Sequence, residues 1–352
     1  MRDLGKFNAG IIRGSIGGSG RGGIARFNDG KSVQRFTDGA IATGATFLIS
    51  ELERREPDIK QPLTSVTYPR DIPLKVGGGW VEYVTALNID FGVTGGASNG
   101  LVNAPGANGV PVVQMNLEKD TFSTHIFITI LRVPFFDMQR MQVTGKSLDA
   151  LLTDGIRLSY DKHMDANVYI GLDAYGTEGL LNNSNVIASN VDNNEDGTST
   201  LWADKTADEI LKDINDGLIA VWTAAQYDMS AIPNHVLIPH EQYNALATRK
   251  VSPIAEKTIL EFLLENNIAK RNGAELFIGA CPFCKARGAG GTDRMAIYRH
   301  DERFLAVEEL VPLSRIMTQQ NTNELSYDSV YSANISEVEL FYNQTIRYYD
   351  GI

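Results

Sequence analysis

The sequence predicts an α+β chain. Two kinds of apolar spacing occupy separate blocks. A helical recurrence runs through 41–55, 147–170 and 207–226, and an alternating or β-branched pattern through 63–68, 81–89, 121–131 and 336–349. No internal repeat is apparent. With 352 residues, 43% of them hydrophobic, the chain has ample surface for a packed core, in two domains or one elaborated one.

Residues 1–40 read as an arm. Gly14, Gly17, Gly18, Gly20, Gly22 and Gly23 punctuate it, with Arg13, Arg21, Arg26 and Arg35 interleaved. Such a stretch loses much chain entropy on ordering and buries little by itself. A helix is expected over 41–55, where Ile41, Ala45, Leu48 and Leu52 recur and Pro57 stops the run. A β-branched, aromatic-rich strand is expected over 63–68.

Residues 77–120 read as a long hairpin. Gly77-Gly78-Gly79-Trp80 opens into a strand at 81–89, and a Gly/Asn-rich tip spans 92–109. A return strand starts at 110–115 and continues in extended fashion over 121–131. A loop that long is hard to place inside one compact domain. Reaching across to another subunit accounts for it.

The clearest helix is 147–170. Ser147 caps it, Asp149 sits in the favourable first turn, and Leu148, Leu151, Leu152, Ile156, Tyr160, Met164 and Val168 form one stripe. Gly155 weakens this helix without forbidding it. At 1.5 Å per residue it is about 36 Å long, which suits a structural spine. Beyond it, helices are expected at 207–226, 240–248 and 254–266. Strands are expected at 235–238, 275–280, 294–298, 304–308 and 336–349, the last from the alternation of Val338, Leu340 and Tyr342.

Charge and composition narrow the function classes. A formal net charge of -11, shared by many soluble enzymes, makes the chain a poor candidate for a direct nucleic-acid reader, because phosphate contacts need clustered Lys and Arg. It fits a container whose wall must not adhere to its contents. Two cysteines argue against a disulfide-stapled secreted protein. No apolar run follows Met1, so no signal peptide is expected. The most apolar stretch, 126–136, is broken by Arg132 and Pro134 and is too short to span a bilayer. The chain is expected to be made and used in a cytosol.

Motifs that carry chemistry are present only in fragments. Gly18-Ser19-Gly20-Arg21-Gly22-Gly23 has the dinucleotide spacing but no helix after it. Gly145-Lys146-Ser147 and Gly30-Lys31-Ser32 lack the first glycine of a phosphate loop, with Arg140 and Ala25 in its place. Gly96-Ala97-Ser98-Asn99-Gly100 has the spacing of a nucleophile elbow, yet Pro105 follows where a helix is needed. Asp192, Asn194, Asp196 and Gly197 copy half of a calcium loop, and Ala203 stands where its bidentate glutamate belongs. Cys281-Pro282-Phe283-Cys284 has no second pair to complete a zinc site. His125, His163, His235, His240 and His300 show no metalloprotease spacing. No catalytic, cofactor-binding or metal-ligating residue is therefore assigned, and no cofactor is expected.

The order of elements, together with Pro62-Leu63-Thr64-Ser65, Gly77-Gly78-Gly79-Trp80-Val81-Glu82 and the run from Gly171 to Asn182 ending in Gly-Leu-Leu, resembles the HK-ninety-seven-like major capsid proteins of tailed bacteriophages. The resemblance covers the chain from about residue 41 onward. It implies a self-assembling subunit, not an enzyme, in an icosahedral shell around double-stranded DNA that is enclosed without sequence-specific binding. It implies an arm and helix at 1–60 and an extended loop at 77–120. A peripheral domain would span 61–76, 121–202 and 311–352, and an axial domain 203–310. Expected contact residues are Arg13, Arg21, Arg26, Trp80, Asp90, Asn99, Lys119 and Arg157. Expected partners are other copies of the chain in pentamers and hexamers, with portal, scaffolding and decoration proteins. Assembly would take place in the host bacterial cytoplasm. The lysine–asparagine cross-link of some relatives is not predicted, because no glutamate can be assigned to it. An encapsulin-type compartment shares the same fold and is the alternative; a hydrolase using Ser98 is a weaker one.

Overall fold

A computed structural model describes Ala25–Asn28 and Ser32–Arg35, then residues 66–94, 112–143, 148–252, 254 and 256–352. The expected helix at 41–55, the glycine patterns at 18–23 and 145–147, and the hairpin tip with Ser98 lie outside the described residues. The chain divides into two units, Met1–Thr64 and Ser65–Ile352. In the first, β1 (Ala25–Asn28) and β2 (Ser32–Arg35) pair antiparallel, in a stretch where no element is expected.

The second unit begins with a correction. Tyr68 does not end a strand; it opens a short helix, α1 (Tyr68–Asp71). Pro69 stands in the first turn, where its fixed φ suits a helix and its missing N–H costs nothing. Asp165 from the long helix caps it, Oδ1 accepting from the backbone N–H groups of Thr67 and Tyr68 at 2.9 Å each.

Two sheets follow. The first contains β3 (Leu74–Val76), β4 (Tyr83–Thr94), β5 (Val112–Pro134), β10 (Leu305–Asn321), β11 (Ser326–Ser336) and β12 (Glu339–Leu340). Their order is β12-β10-β11-β5-β4, with β3 parallel to β10. The extended pieces expected at 110–115 and 121–131 are one 23-residue strand, β5, and the strand expected at 304–308 continues to Asn321.

After α2 (Phe135–Val143), the spine helix α3 (Leu148–Ile170) packs across this sheet. Leu152 and Ile156 meet Leu131, Val133 and Tyr331, and Tyr160, Met164 and Val168 enter the larger core. Gly171 ends the helix at φ +79°, and a Cβ there would lie 2.2 Å from the Thr177 carbonyl oxygen. The chain then folds back on the helix end: Leu180 N–H donates to the Val168 carbonyl at 2.7 Å and Leu181 N–H to that of Tyr169 at 3.0 Å. Leu180 and Leu181 are buried by this return.

The second sheet runs β6-β13-β9-β7-β8, from β6 (Ala188–Asn190), β7 (His235–Ile238), β8 (Phe277–Ala280), β9 (Arg294–Tyr298) and β13 (Ile346–Asp350). Helices α4 (Ala207–Ala224), α5 (His240–Thr248), α6 (Ile259–Glu265) and α7 (Ile268–Arg271) accompany it. Ile210, Ile214, Leu218 and Val221 of α4 share a core with Val236, Ile278 and Ile297. Thr206 with Glu209 and Thr258 with Glu261 form capping boxes, and the second fixes the start of α6 later than the 254 expected.

The strand expected at 336–349 is a second correction. Ser336 closes β11, β12 is two residues long, and a 3-10 turn at Asn343–Thr345 separates it from β13. The break has a topological cause: β12 pairs with β10 in the first sheet, whereas β13 pairs with β9 in the second. The second sheet therefore crosses the domain boundary expected at residue 311. Among the described residues, no helix is long and apolar enough to cross a membrane.

Candidate assembly surfaces

The β4–β5 hairpin is two-faced. Its register pairs Leu87 with Lys119, Ile89 with Leu117 and Phe91 with Met115, so these residues share one face. The opposite face pairs Asn88 with Glu118 and Ala86 with Asp120. There the Asn88 amide donates to the Asp120 carboxylate, and the Asn116 amide to Glu118 Oε1 at 3.1 Å. The apolar face has no cover within the described chain: Leu87 is 69% exposed and Phe91 71%, and Ile89, Val113, Met115 and Leu117 are all exposed. A contiguous apolar patch of this kind marks an interaction surface.

The same parity of β5 that is bare in the hairpin is covered farther along. Positions 113, 115 and 117 are exposed, whereas 131 and 133 are buried beneath the spine helix. The other parity carries a second bare row: Ile126, Ile128 and Ile130 are exposed on the outer side of the sheet. Ile130 pairs with Val330 and Val330 with Met317, which is also exposed, so the row widens across three strands.

The hairpin's root is firmly tied. Ser123 N–H donates to Glu337 Oε1 at 2.8 Å, and Glu337 N–H donates back to the Ser123 carbonyl at 3.1 Å. The Phe122 ring meets the Phe341 ring edge-on, with centroids 5.7 Å apart. Asn334 Nδ2 donates to the carbonyls of Gly79 and Val81 at 3.2 and 3.1 Å. A cleft of about 810 Å³, lined by Ala86, Leu87, Asn88, Ala225, Ser230 and Phe304, separates β4 from the turn after α4.

The expected contact residues fall unevenly. Arg13, Arg21 and Asn99 lie outside the described residues, and Arg26 stands in β1 opposite Gln34. Trp80 is 55% exposed just before β4. Asp90 pairs in register with Asn116, and Lys119 is exposed at the near end of the hairpin's apolar face. Arg157 is exposed on the spine helix. The structure thus brings Asp90 and Lys119 together on one hairpin, with Trp80 near its root. The aliphatic rows around them were missed as site residues, although the alternation of Leu87, Ile89 and Phe91 was legible.

The Asp192–Gly197 stretch, the cysteine pair and His235 are held by local contacts. Asn194 Oδ1 accepts from the backbone N–H groups of Thr198 and Ser199 at 2.9 and 3.1 Å, which makes the Asp192–Gly197 stretch a side-chain-tied turn. Cys281 and Cys284 are buried free thiols in the core, and burial pushes the Cys284 thiol up. His235 is stacked between Phe277 and His300, with centroids 4.5 and 4.8 Å away. Its Nε2 lies 3.6 Å from Oδ1 of the fully buried Asp71. Burial alone would raise the Asp71 carboxyl; His235 and the hydrogen bonds from Arg70 and Tyr169 hold it below its ordinary value. Among the described residues, no three His, Cys, Asp or Glu side chains converge on a possible metal position.

Comparison with known proteins places the chain in a family. No curated protein sequence matches the chain. Among solved structures, the capsid of Myoviridae phage XM1 is similar with a TM-score of 0.71 at 18% identity, covering 86% of this chain and 98% of that one. The capsid of a native GTA particle gives a TM-score of 0.56 at 13% identity over 88% and 98% of the two chains. A Microbacterium phage Oxtober96 structure gives 0.55 at 10% identity over 86% and 96%. These likenesses establish the fold as that of HK-ninety-seven-like capsid proteins. The family model described as major capsid protein matches residues 100–352, and the chain belongs to that family.

Proposed function

We propose that this major capsid protein builds its shell by seating the apolar face of one copy's hairpin against the bare outer row of Ile126, Ile128 and Ile130 on the next. The observation that carries the reading is the hairpin itself, whose root is tied to its own body while Leu87, Ile89, Phe91, Met115 and Leu117 stay uncovered. A contact between two different patches is heterologous, and heterologous contacts close into rings and shells. Contacts to several neighbours make loss of a single subunit rare even where each is modest.

In this reading the work is structural rather than catalytic. The first sheet with the spine helix forms the peripheral part, and the second sheet with its helices forms the axial part around five-fold and six-fold axes. The shell encloses double-stranded DNA without reading its sequence, is assembled in the host bacterial cytoplasm, and has portal, scaffolding and decoration proteins as partners. Asp90, Lys119, Trp80 and Arg157 border the contacts, and Arg13, Arg21, Arg26 and Asn99 add reach.

The test is to express the full chain, with and without a scaffolding partner, and to size the product by sedimentation and electron microscopy. Shells or ring-sized precursors are expected, and a Leu87→Asp/Phe91→Asp variant should stay monomeric with unchanged far-UV circular dichroism. A wild-type chain that remains a 38.6 kDa monomer under all conditions would overturn the reading. Undiminished shells from the double variant would remove the hairpin from the contact.

A further inference from the structure

Glu339 is a carboxylic acid with no hydrogen bond of normal geometry, although the neighbouring Ser336 hydroxyl favours its charged form. It is fully buried. Native interiors rarely leave a carboxyl in this state, because an unpaired buried charge is expensive.

Its position is specific. Side chains two residues apart in an extended segment share a face, so Glu337, Glu339 and Phe341 point the same way, while Val338 and Leu340 turn into the core. Glu337 is bonded to Ser123 of the hairpin root, and Phe341 touches Phe122 of the same root. Glu339 lies between these two attachments, beneath the place where the hairpin leaves the body.

The groups facing it differ in sign: Glu308 and Glu337 favour the neutral acid, and the Ser336 hydroxyl and Lys75 favour the carboxylate. On β10 stands Glu308, and on the Glu339 segment itself Glu337; both are carboxylates. On β3 stands Lys75, whose Nζ lies 3.8 Å from Glu308 Oε1 and 5.2 Å from the Phe341 ring centroid. The nearby Ser336 hydroxyl donates to the Glu337 carbonyl at 2.8 Å. The hairpin contributes Phe122 and Ser123, neither of which carries charge. Burial, followed by Glu308, pushes the Glu339 carboxyl up to about 7.

We propose that Glu339 is a proton-operated latch for the hairpin: with a neutral acid the root closes over it, and on ionisation the carboxylate draws water beneath the root and loosens it. The latch is a property of the single chain and stands whether or not the hairpin is the shell contact. Closed, the acid keeps its proton to about pH 7; opened into water, it ionises from the ordinary carboxylate value of 4.5. Root opening therefore grows with pH between those two values and levels off above the higher one.

Hydrogen exchange on the full chain tests this, with intrinsic rates corrected for pH. Protection of amides in 83–88 and 119–124 should fall on the order of tenfold or more between pH 5 and pH 7.5 and change little above that, while amides of β9 stay constant. Glu339→Gln should hold the root protected across the range. Glu308→Gln, which removes a like charge and leaves the latch in place, should move the midpoint to lower pH. Root protection that is flat with pH in the wild type, or a profile shared by the wild type and Glu339→Gln, would overturn the proposal. Should Glu339→Gln fail to fold, an unmoved midpoint in Glu308→Gln would overturn it as well.

Discussion

Strands β9 and β4 are both apolar, and their fates differ. In β9 every residue from Arg294 to Tyr298 is buried, because helices cover one face of the second sheet and the spine-helix core covers the other. In β4, Leu87, Ile89 and Phe91 alternate with polar residues and face nothing in the described chain. Composition does not separate the two regions; cover does. A strand whose cover is encoded in the same chain contributes to folding, and one whose cover lies elsewhere contributes to association.

One pair of truncations sets this contrast at its largest. Ile214 is fully buried between α4 and the second sheet, so Ile214→Ala should cost about 2–5 kcal/mol in urea unfolding of the free subunit. Leu117 is 55% exposed, so Leu117→Ala should alter subunit stability by less than about 0.5 kcal/mol. The same Leu117→Ala change should raise the concentration needed for assembly about tenfold, since covering a leucine is worth roughly 1.5–3 kcal/mol. If the two truncations destabilise the subunit equally, the hairpin is packed at home and the contrast disappears.

Two glycines give a smaller effect of the same kind. At Gly217 the helix α4 comes so close to the sheet that a Cβ would lie 2.4 Å from Ile297 Cδ1 and 3.1 Å from Tyr349. Gly217→Leu should cost about 1–3 kcal/mol, visible as a lowered Tm. Around Gly92 in the hairpin nothing lies within 4 Å. Gly92→Leu should leave the Tm of the subunit nearly unchanged, and an equal fall in both variants would mean that β4 is as crowded as the helix–sheet contact.

Much of this was legible in the sequence where local pattern and final cover agree. The spine helix, β7 and β9 follow their apolar spacing because each has a core waiting on the predicted face. The failures have physical causes. Tyr68 has strand chemistry, but Pro69 and the distant Asp165 make a helix start there. The alternation of Val338, Leu340 and Tyr342 is real, yet no local signal says that the chain changes sheets at Asn343–Thr345. The assembly surface was half legible. The hairpin could be read, but the contact residues expected on it, Lys119 and Asp90, are charged rather than aliphatic. The isoleucine row of β5 was legible only as part of the most apolar stretch, because nothing local distinguishes a covered row from a bare one.

The interior of the closed region should lose stability in acid, the reverse of the hairpin root, which acid closes. Burial pushes His235 below the ordinary imidazole value of 6.5, and burial and then His235 push His300 the same way. Both stay neutral in the fold while the unfolded chain takes up protons from 6.5 downward, so their contribution to stability is present above that value and is lost as pH falls below it. Glu339 acts with the opposite sign, lowering stability as pH rises from 4.5 to about 7. Urea midpoints at pH 7.5 and 5.5 should therefore differ more in Glu339→Gln than in the wild type. His235→Phe should reduce the acid loss; an unchanged profile would mean that the stacked pair does not titrate with unfolding.

The smallest effect on the subunit, and the finest probe of where the bare surface ends, lies at Lys119. It pairs with Leu87 on the apolar face and is the charged residue nearest that face's inner edge. It is exposed, so Lys119→Leu should leave the urea midpoint of the free subunit unchanged. If the neighbour's cover extends this far, the same change enlarges the buried apolar patch and should lower the assembly concentration by a few-fold, and assembly should become less sensitive to salt. If assembly is unaffected, the contact stops at Leu117, and Lys119 belongs to the polar rim that marks where the hairpin leaves its own body.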